Sequence, residues 1–417
     1  MRRLICSLVA ATCLATPAAS GPVEPTPAAQ QSPQFVDSLP AQWNGTLLLY
    51  SRGYSPRPSV EAAPAPVRQA LLDAGYALIA SDYGAGGWSL AEAVPAQLAA
   101  IERFTALHGK PRRIIAWGES MGGLVTTQLA EQHANRIDGA VAACASIGGA
   151  LGMMNMALDG AYAFRTLVAP DAGLELVRIT DDRVNGGRAQ EAVQQALATP
   201  EGRARVALAS VLAGLPGWTD PATPQPAVGD AAGQAAQMAK AFVRGTFLPR
   251  TDQEQRAGGV FSWNTGIDYR AQLRRSGRAA LVERLYREAG IDLQADLKRL
   301  NAGERVAADP DAVAYMRAHY TPNARPQVPL VAMQKIGDGM TAPALQRGYA
   351  EAAGTRAQSL WLAEAGHCGF TAPQLLAAIR QVEQRLDRGK WPAVPAGFVP
   401  HRAEPMLRPC ITGGRCE

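Results

Sequence analysis

The chain has 417 residues, 47% hydrophobic and 18% charged, with a formal net charge of +5. Residues 1–20 hold two of the arginines and no acid, so the remainder carries +3, with no basic run beyond pairs such as Arg112-Arg113 and Arg274-Arg275. So mild and scattered an excess excludes a nucleic-acid partner and describes a solvated surface.

The chain opens on Arg2 and Arg3, an apolar run over 4–14 and small residues at Ala18, Ala19 and Ser20. This pattern reads as a secretory signal peptide over 1–20. The apolar run is too short to span about 30 Å of hydrocarbon, and no later segment is long enough either, so no stable membrane insertion is expected. The expectation is a soluble protein, secreted or periplasmic. A Pro- and Ala-rich leader follows over 21–42.

Residues 43–50 (W-N-G-T-L-L-L-Y) read as a buried strand, 67–74 as a helix with Gly75 at its C-cap, and 76–81 as a second strand. A glycine-rich turn over 82–87 leads to a helix over 90–108 and a third strand over 114–117. That strand runs into G-E-S-M-G-G over 118–123 and a helix-like stretch to 133. A serine on a sharp strand-to-helix turn needs neighbours without side chains two residues away on either side, and Gly118 and Gly122 meet that need. The turn lifts the Ser120 hydroxyl clear of the sheet and aims the backbone N–H of Met121 at a developing oxyanion.

A strand over 139–144 continues the alternation, which calls for a mostly parallel sheet with helices on both faces. From 148 to 325 the strand pattern stops, and helix-like segments rich in Ala, Arg, Leu and Gln form an insertion of about 175 residues. Its position places it over the active-site end of the sheet as a lid. Trp218, Phe242, Phe247, Phe261, Trp263 and Tyr269 belong to it, most of them serving its own core. Strands over 328–334 and 358–363 and a helix over 373–388 complete the α/β core, which therefore comprises 43–147 and 326–390. A Pro-rich tail covers 391–417.

A serine hydroxyl is a weak nucleophile at neutral pH, so a histidine must take its proton and an acid must hold that histidine in the right tautomer. Partners of an elbow serine follow in the order acid, then histidine, which removes His108. His133 ends the helix after the elbow, His319 ends the insertion, and His401 sits in the tail. His367 follows a late strand in the small-residue loop A-G-H-C-G and is the candidate base. Asp338, in G-D-G-M-T-A-P directly after the strand over 328–334, is the candidate acid. Asp82 precedes the serine, and Glu364 is too near His367 to turn back to it. The second oxyanion donor is expected from the loop over 51–54, with the backbone N–H of Tyr54 as the choice.

Four cysteines remain beyond residue 20. An even count in an oxidising compartment calls for two disulfides. Cys410 and Cys416 bracket I-T-G-G-R and are paired with each other, which leaves Cys144 with Cys368. No C-x-x-C or H-E-x-x-H supports a zinc site.

Through G-E-S-M-G-G at 118–123, G-D-G-M-T-A-P at 337–343 and A-G-H-C-G-F at 365–370, the chain resembles the α/β-hydrolase superfamily over about 45–150 and 326–390. Many members carry His-Gly in the oxyanion loop, where this chain has Arg52-Gly53. W-N-G at 43–45 and the cysteine after His367 give a partial likeness to the tannase and feruloyl esterase family. That family also has a cysteine just before the serine, a position held here by Glu119, and Cys144 is the available substitute. The resemblance implies an α/β-hydrolase fold with a large helical lid. It also implies a serine hydrolase that cleaves a small-molecule or polymer-derived carboxylic ester through Ser120, His367 and Asp338, with no cofactor. The rivals are a serine peptidase of the prolyl-oligopeptidase or aminopeptidase type and a catalytically silent binding protein.

Overall fold

The structure, a computed structural model, describes residues 32–414 and Cys416; the expected signal peptide and the first part of the leader lie outside the described residues. Seven strands form one sheet in the order β1-β3-β2-β4-β5-β6-β7. In chain order they are β1 (Phe35–Ser38), β2 (Thr46–Ser51), β3 (Ala77–Ser81), β4 (Arg113–Glu119), β5 (Gly139–Ala143), β6 (Leu330–Gly337) and β7 (Ala357–Ala365). All neighbours pair in parallel except β1, which lies antiparallel on β3 with Phe35 opposite Ser81. No strand was expected before residue 43. The four residues of β1 are only half-buried at the sheet edge, so they lack the continuous apolar run that marks a central parallel strand.

The strand expected over 43–50 begins at Thr46, because W-N-G forms a turn. Gly45 has φ +86°, the Asn44 side chain accepts from the Thr46 N–H at 2.8 Å, and Trp43 Nε1 donates to the Thr46 carbonyl at 2.9 Å. Alternate residues of the buried strands supply the two faces of the sheet. Leu47, Leu49, Ile79, Ala116, Ala140 and Ala332 face one core, and Leu48, Tyr50, Leu78, Trp117, Val141 and Met333 face the other. The first core is covered by α2 (Leu90–His108) and α3 (Met121–Gln132), the second by α1 (Ala65–Asp73) and α14 (Ala372–Arg388). Alanines on the α3 side let that helix approach closely. A Cβ on Gly123 would collide with the Ala145 side chain.

Between β5 and β6 the chain runs α4 (Ala150–Leu167), α5 (Asp182–Ala196), α6 (Pro200–Leu212), α7 (Ala231–Thr246), α8 (Thr251–Ala257), α9 (Tyr269–Arg275), α10 (Ala279–Glu288), α11 (Leu293–Ala302) and α12 (Pro310–Tyr320). Helix α13 (Pro343–Ala353) then lies between β6 and β7. Helix α4 ties the two regions together. Its first half, including Leu151 and Met154, packs in the core shared with α2 and α3, while Leu158 to Leu167 enter a separate core made by the other inserted helices. Phe242 and Tyr269 are buried in that separate core, Phe247 packs on it, and Phe261 and Trp263 join the core beside the sheet. Residues after α14 do not hang free: Arg408, fully buried, pairs with Asp159 of α4 at 2.8 Å, and Thr412 N–H donates to the Pro322 carbonyl at 2.8 Å. No helix among the described residues is long and apolar enough to cross a membrane.

The chain leaves β2 for β3 on one side and returns to β4 on the other. The topological switch point therefore lies at the carboxyl ends of β2 and β4, where open α/β sheets form their ligand crevice.

Candidate active site

At that switch point the serine turn and the loop after β2 meet. Ser120 sits between β4 and α3 with φ 56° and ψ −121°, a region that side-chain-bearing residues rarely adopt. The glycines around it are dictated by contact. A Cβ on Gly118 would lie 2.7 Å from the Ser51 carbonyl oxygen, and one on Gly122 would collide with the Ser51 and Arg52 carbonyls. Ser120 N–H donates to the Ala143 carbonyl at 3.0 Å, and the Ser120 carbonyl accepts from Ser146 N–H, so β5 braces the turn from the far side.

His367 Nε2 lies 3.0 Å from Ser120 Oγ, and His367 Nδ1 lies 2.8 Å from Asp338 Oδ2. With the carboxylate acceptor on Nδ1, that nitrogen carries a proton, which leaves the Nε2 lone pair to receive from the serine hydroxyl. Asp338 is wholly buried. Its Oδ1 accepts from the N–H groups of Met340 and Thr341 at 2.9 and 3.0 Å, and its Oδ2 accepts from Gln334 Nε2 at 3.1 Å. Thr341 Oγ1 lies 2.9 Å both from Asp338 Oδ2 and from the Cys144 carbonyl oxygen. So many donors stabilise the ionised carboxylate in a place where an unpaired charge would be costly.

Cys144 and Cys368 form a disulfide, as do Cys410 and Cys416. The first joins the residue after β5 to the residue after His367, across Cα atoms 5.3 Å apart. Both cysteines have positive φ, 42° and 54°, so each loop is pulled out of ordinary backbone geometry where it faces the other. Cys144, His367 and Cys368 have the residue types of a metal cluster and lie close together. The two sulfurs are bonded to each other, however, and offer no thiolate to a cation.

The loop after β2 runs directly beside the serine. A Cβ on Gly53 would lie 3.3 Å from Ser120 Cβ and 3.4 Å from the Glu119 carbonyl oxygen, so only glycine fits there without displacement. The N–H groups of Tyr54 and Met121 donate to no acceptor among the described residues. The Tyr54 ring stands 5.6 Å from that of Trp88. Glu119, half-buried next to Ser120, has its carboxyl pushed up from its ordinary pKa, first by burial, with the His367 charge opposing.

The other acids and histidines weighed from the sequence lie elsewhere. Asp82 accepts from Gln34 N–H and Gly84 N–H and shapes the glycine turn. Glu364 pairs with Lys335 at 3.2 Å. His108 is paired with Asp37 at 2.8 Å, His319 lies tilted against Tyr315, and His401 lies against Trp361.

A model of the alpha/beta hydrolase fold matches residues 59–257. The o-phthalyl amidase of Xanthobacter agilis is 31% identical over 329 residues, covering 70% of this chain and 72% of that protein. The chain belongs to the α/β-hydrolase superfamily. Similar solved structures include feruloyl esterase B from Aspergillus oryzae (14% identity, 91% of this chain and 83% of that one, TM-score 0.41). Another is an esterase from Aspergillus oryzae (12% identity, 91% and 84%, TM-score 0.43).

Four residues that shape this region of the α/β hydrolase are not among those expected from the sequence: Gln334, Thr341, Arg256 and Asp252. Gln334 and Thr341 bracket Asp338 and hold its oxygens. Thr341 stands three residues after the acid, the spacing at which a side-chain oxygen and a backbone N–H meet in a turn. Arg256 of α8 reaches across to Glu92 at 2.5 Å and to the Gly86 carbonyl at 2.9 Å, and Asp252 accepts from Trp88 N–H at 2.6 Å. Nothing in local sequence marks a contact between residues some 165 positions apart.

Proposed function

We propose that this chain is an exported serine hydrolase that cleaves a carboxylic ester through an acyl-enzyme. The observation that carries the reading is the unbroken line from Asp338 Oδ2 through His367 to Ser120 Oγ, with heavy-atom separations of 2.8 and 3.0 Å. Both distances are within the reach that proton transfer requires. Ser120 Oγ attacks the acyl carbon as His367 Nε2 takes its proton. The N–H groups of Met121 and Tyr54 receive the negative charge on the carbonyl oxygen. His367 then returns the proton to the leaving group, and water repeats the sequence to release the acid. Asp338 keeps the proton of His367 on Nδ1 and stabilises the imidazolium. The helices between β5 and β6 act as the lid that sets selectivity, and the substrate is small or derived from a polymer. Two disulfides support export, because such bonds persist in oxidising compartments.

A second reading is amide cleavage by the same residues, favoured by the relative named as an o-phthalyl amidase. The two differ in the leaving group, since an amine must be protonated by His367 before it departs, whereas an alcohol leaves more readily. The test is turnover by the purified mature protein of p-nitrophenyl acyl esters, aminoacyl p-nitroanilides and an o-phthalyl amide in parallel, with Ser120→Ala as control. A higher kcat/KM on esters supports the first reading, and preference for the o-phthalyl amide supports the second. Preference for the anilides would point to a peptidase. Turnover of none of them would leave a silent binding protein.

A further inference from the structure

A buried cation sits under the loop after β2, and its hydrogen bonds run to main-chain oxygens. Arg52 is 6% exposed. Its Nη1 donates to the Gly53 carbonyl at 3.0 Å, and its Nη2 donates to the carbonyls of Asp82 and Ala85 at 3.1 and 2.6 Å. The guanidinium lies 4.4 Å over the Tyr83 ring, whose hydroxyl donates back to the Arg52 carbonyl at 3.1 Å. The Asp82 carboxylate makes its hydrogen bonds to Gln34 and Gly84 instead. Burial without a bonded carboxylate penalises a guanidinium and lowers its proton affinity. An apolar side chain would fill the same volume without that penalty. What a guanidinium adds is a rigid fork that sets the direction of several carbonyls at once.

One of those carbonyls belongs to a peptide of particular position. The Gly53 C=O and the Tyr54 N–H are two ends of one planar trans unit, so they point in opposite directions. Fixing the oxygen on Arg52 therefore aims the N–H away from Arg52. That N–H has no acceptor among the described residues, and Gly53 packs against Ser120, where an added Cβ would lie 3.9 Å from Oγ.

We propose that Arg52 is a positioning residue that holds the Gly53-Tyr54 peptide with its N–H directed at the oxyanion formed over Ser120. The proposal rests on the serine-hydrolase reading. Arg52 takes the place that His has in the His-Gly loop of many superfamily members. Its other two carbonyls lie in the 82–87 turn, so it fastens one loop to the next. The turn is gripped from the opposite side by α8 through Arg256 and Asp252, and Gly87 N–H donates to the Ser55 carbonyl at 2.7 Å. The helical insertion thus braces the oxyanion loop as well as covering it.

The test uses Arg52→Met and Arg52→Lys in the full mature protein, measuring kcat, KM, the inhibition constant of a trifluoromethyl ketone and the melting temperature. The ketone forms a tetrahedral adduct on the serine whose oxygen occupies the same donors. For Arg52→Met the expected result is a fall in kcat of about 10- to 100-fold with KM within about twofold, and a matching loss of ketone affinity; removing a donor outright costs about 100- to 1,000-fold. Arg52→Lys keeps the charge but loses the fork and should fall part of the way, and it carries the test if the Met variant does not fold. Unchanged kcat and ketone affinity would overturn the proposal. So would a loss in which the ketone affinity falls only as far as KM rises, the mark of a merely structural residue. Failure of the underlying reading is distinct, because wild-type protein would then neither turn over esters nor bind the ketone at Ser120.

Discussion

Cys144 and Cys368 tie the strand end beside Ser120 to the residue after His367, closing a loop of 224 residues in which the whole helical insertion is contained. Cys368 Sγ lies 3.3 Å from His367 Nε2, so the bond reaches the nitrogen that faces Ser120 Oγ. In the loop-closure picture a cross-link of that span is worth about 5 kcal/mol. Cys144→Ser combined with Cys368→Ser is expected to lower the free energy of unfolding by roughly that amount, read from a urea titration. It should also lower kcat by up to about 100-fold as the histidine loop relaxes. Protein that keeps its melting temperature and turnover after full reduction would contradict both expectations.

Asp338→Asn separates orientation from packing. The two backbone donors to Oδ1 remain able to bond an amide oxygen, so the loop keeps its shape. The new NH2 group facing His367 Nδ1 donates instead of accepting, which forces the imidazole proton onto Nε2, opposite the serine hydroxyl. The expected loss in kcat is about 10,000-fold, with KM little changed. Steady-state kinetics on a p-nitrophenyl ester check it.

Glu119 gives a pH dependence of stability. Burial raises its folded pKa above the unfolded value of 4.5, so the folded state holds the proton more tightly. Below 4.5 both states are protonated and no penalty exists. As pH rises from there through the folded pKa, the penalty grows, and above it the penalty is complete. Glu119→Gln should therefore stabilise the protein at pH 8 and change little at pH 4. Thermal melts of both proteins across that range decide it, and a variant effect independent of pH would contradict the assignment.

Much of this site is legible in the sequence because strained turns demand particular residues. Gly118 and Gly122 are required by carbonyl oxygens a side chain would strike, and that demand survives as a short motif. The helix over 90–108 and the buried strands are legible because their apolar runs and boundaries are local. The edge strand Phe35–Ser38 is not, since four half-buried residues carry no period. Nor are Gln334, Arg52 and Arg256, whose partners are set by the folded chain and whose residue types fit a solvated surface equally well.

Arg408 and Asp159 form a buried charge pair, at 2.8 Å, with Tyr269 OH donating to the second carboxylate oxygen at 3.0 Å and Arg408 Nη2 donating to the Trp263 carbonyl at 2.8 Å. Removing one partner of such a pair leaves an uncompensated charge and typically costs about 3–5 kcal/mol. Arg408→Met should lose about that much in a urea titration. Adding Asp159→Leu to Arg408→Met should recover part of it, and a double variant no more stable than the single would contradict the charge argument.

Ser120 as the nucleophile, activated by His367, is tested most directly by intact-protein mass spectrometry after incubation with a fluorophosphonate, followed by peptide mapping. The expected result is one adduct per chain on the peptide containing Ser120, absent in Ser120→Ala and formed far more slowly in His367→Ala. No adduct on the folded wild-type protein, or an adduct on another residue that persists in Ser120→Ala, would contradict it.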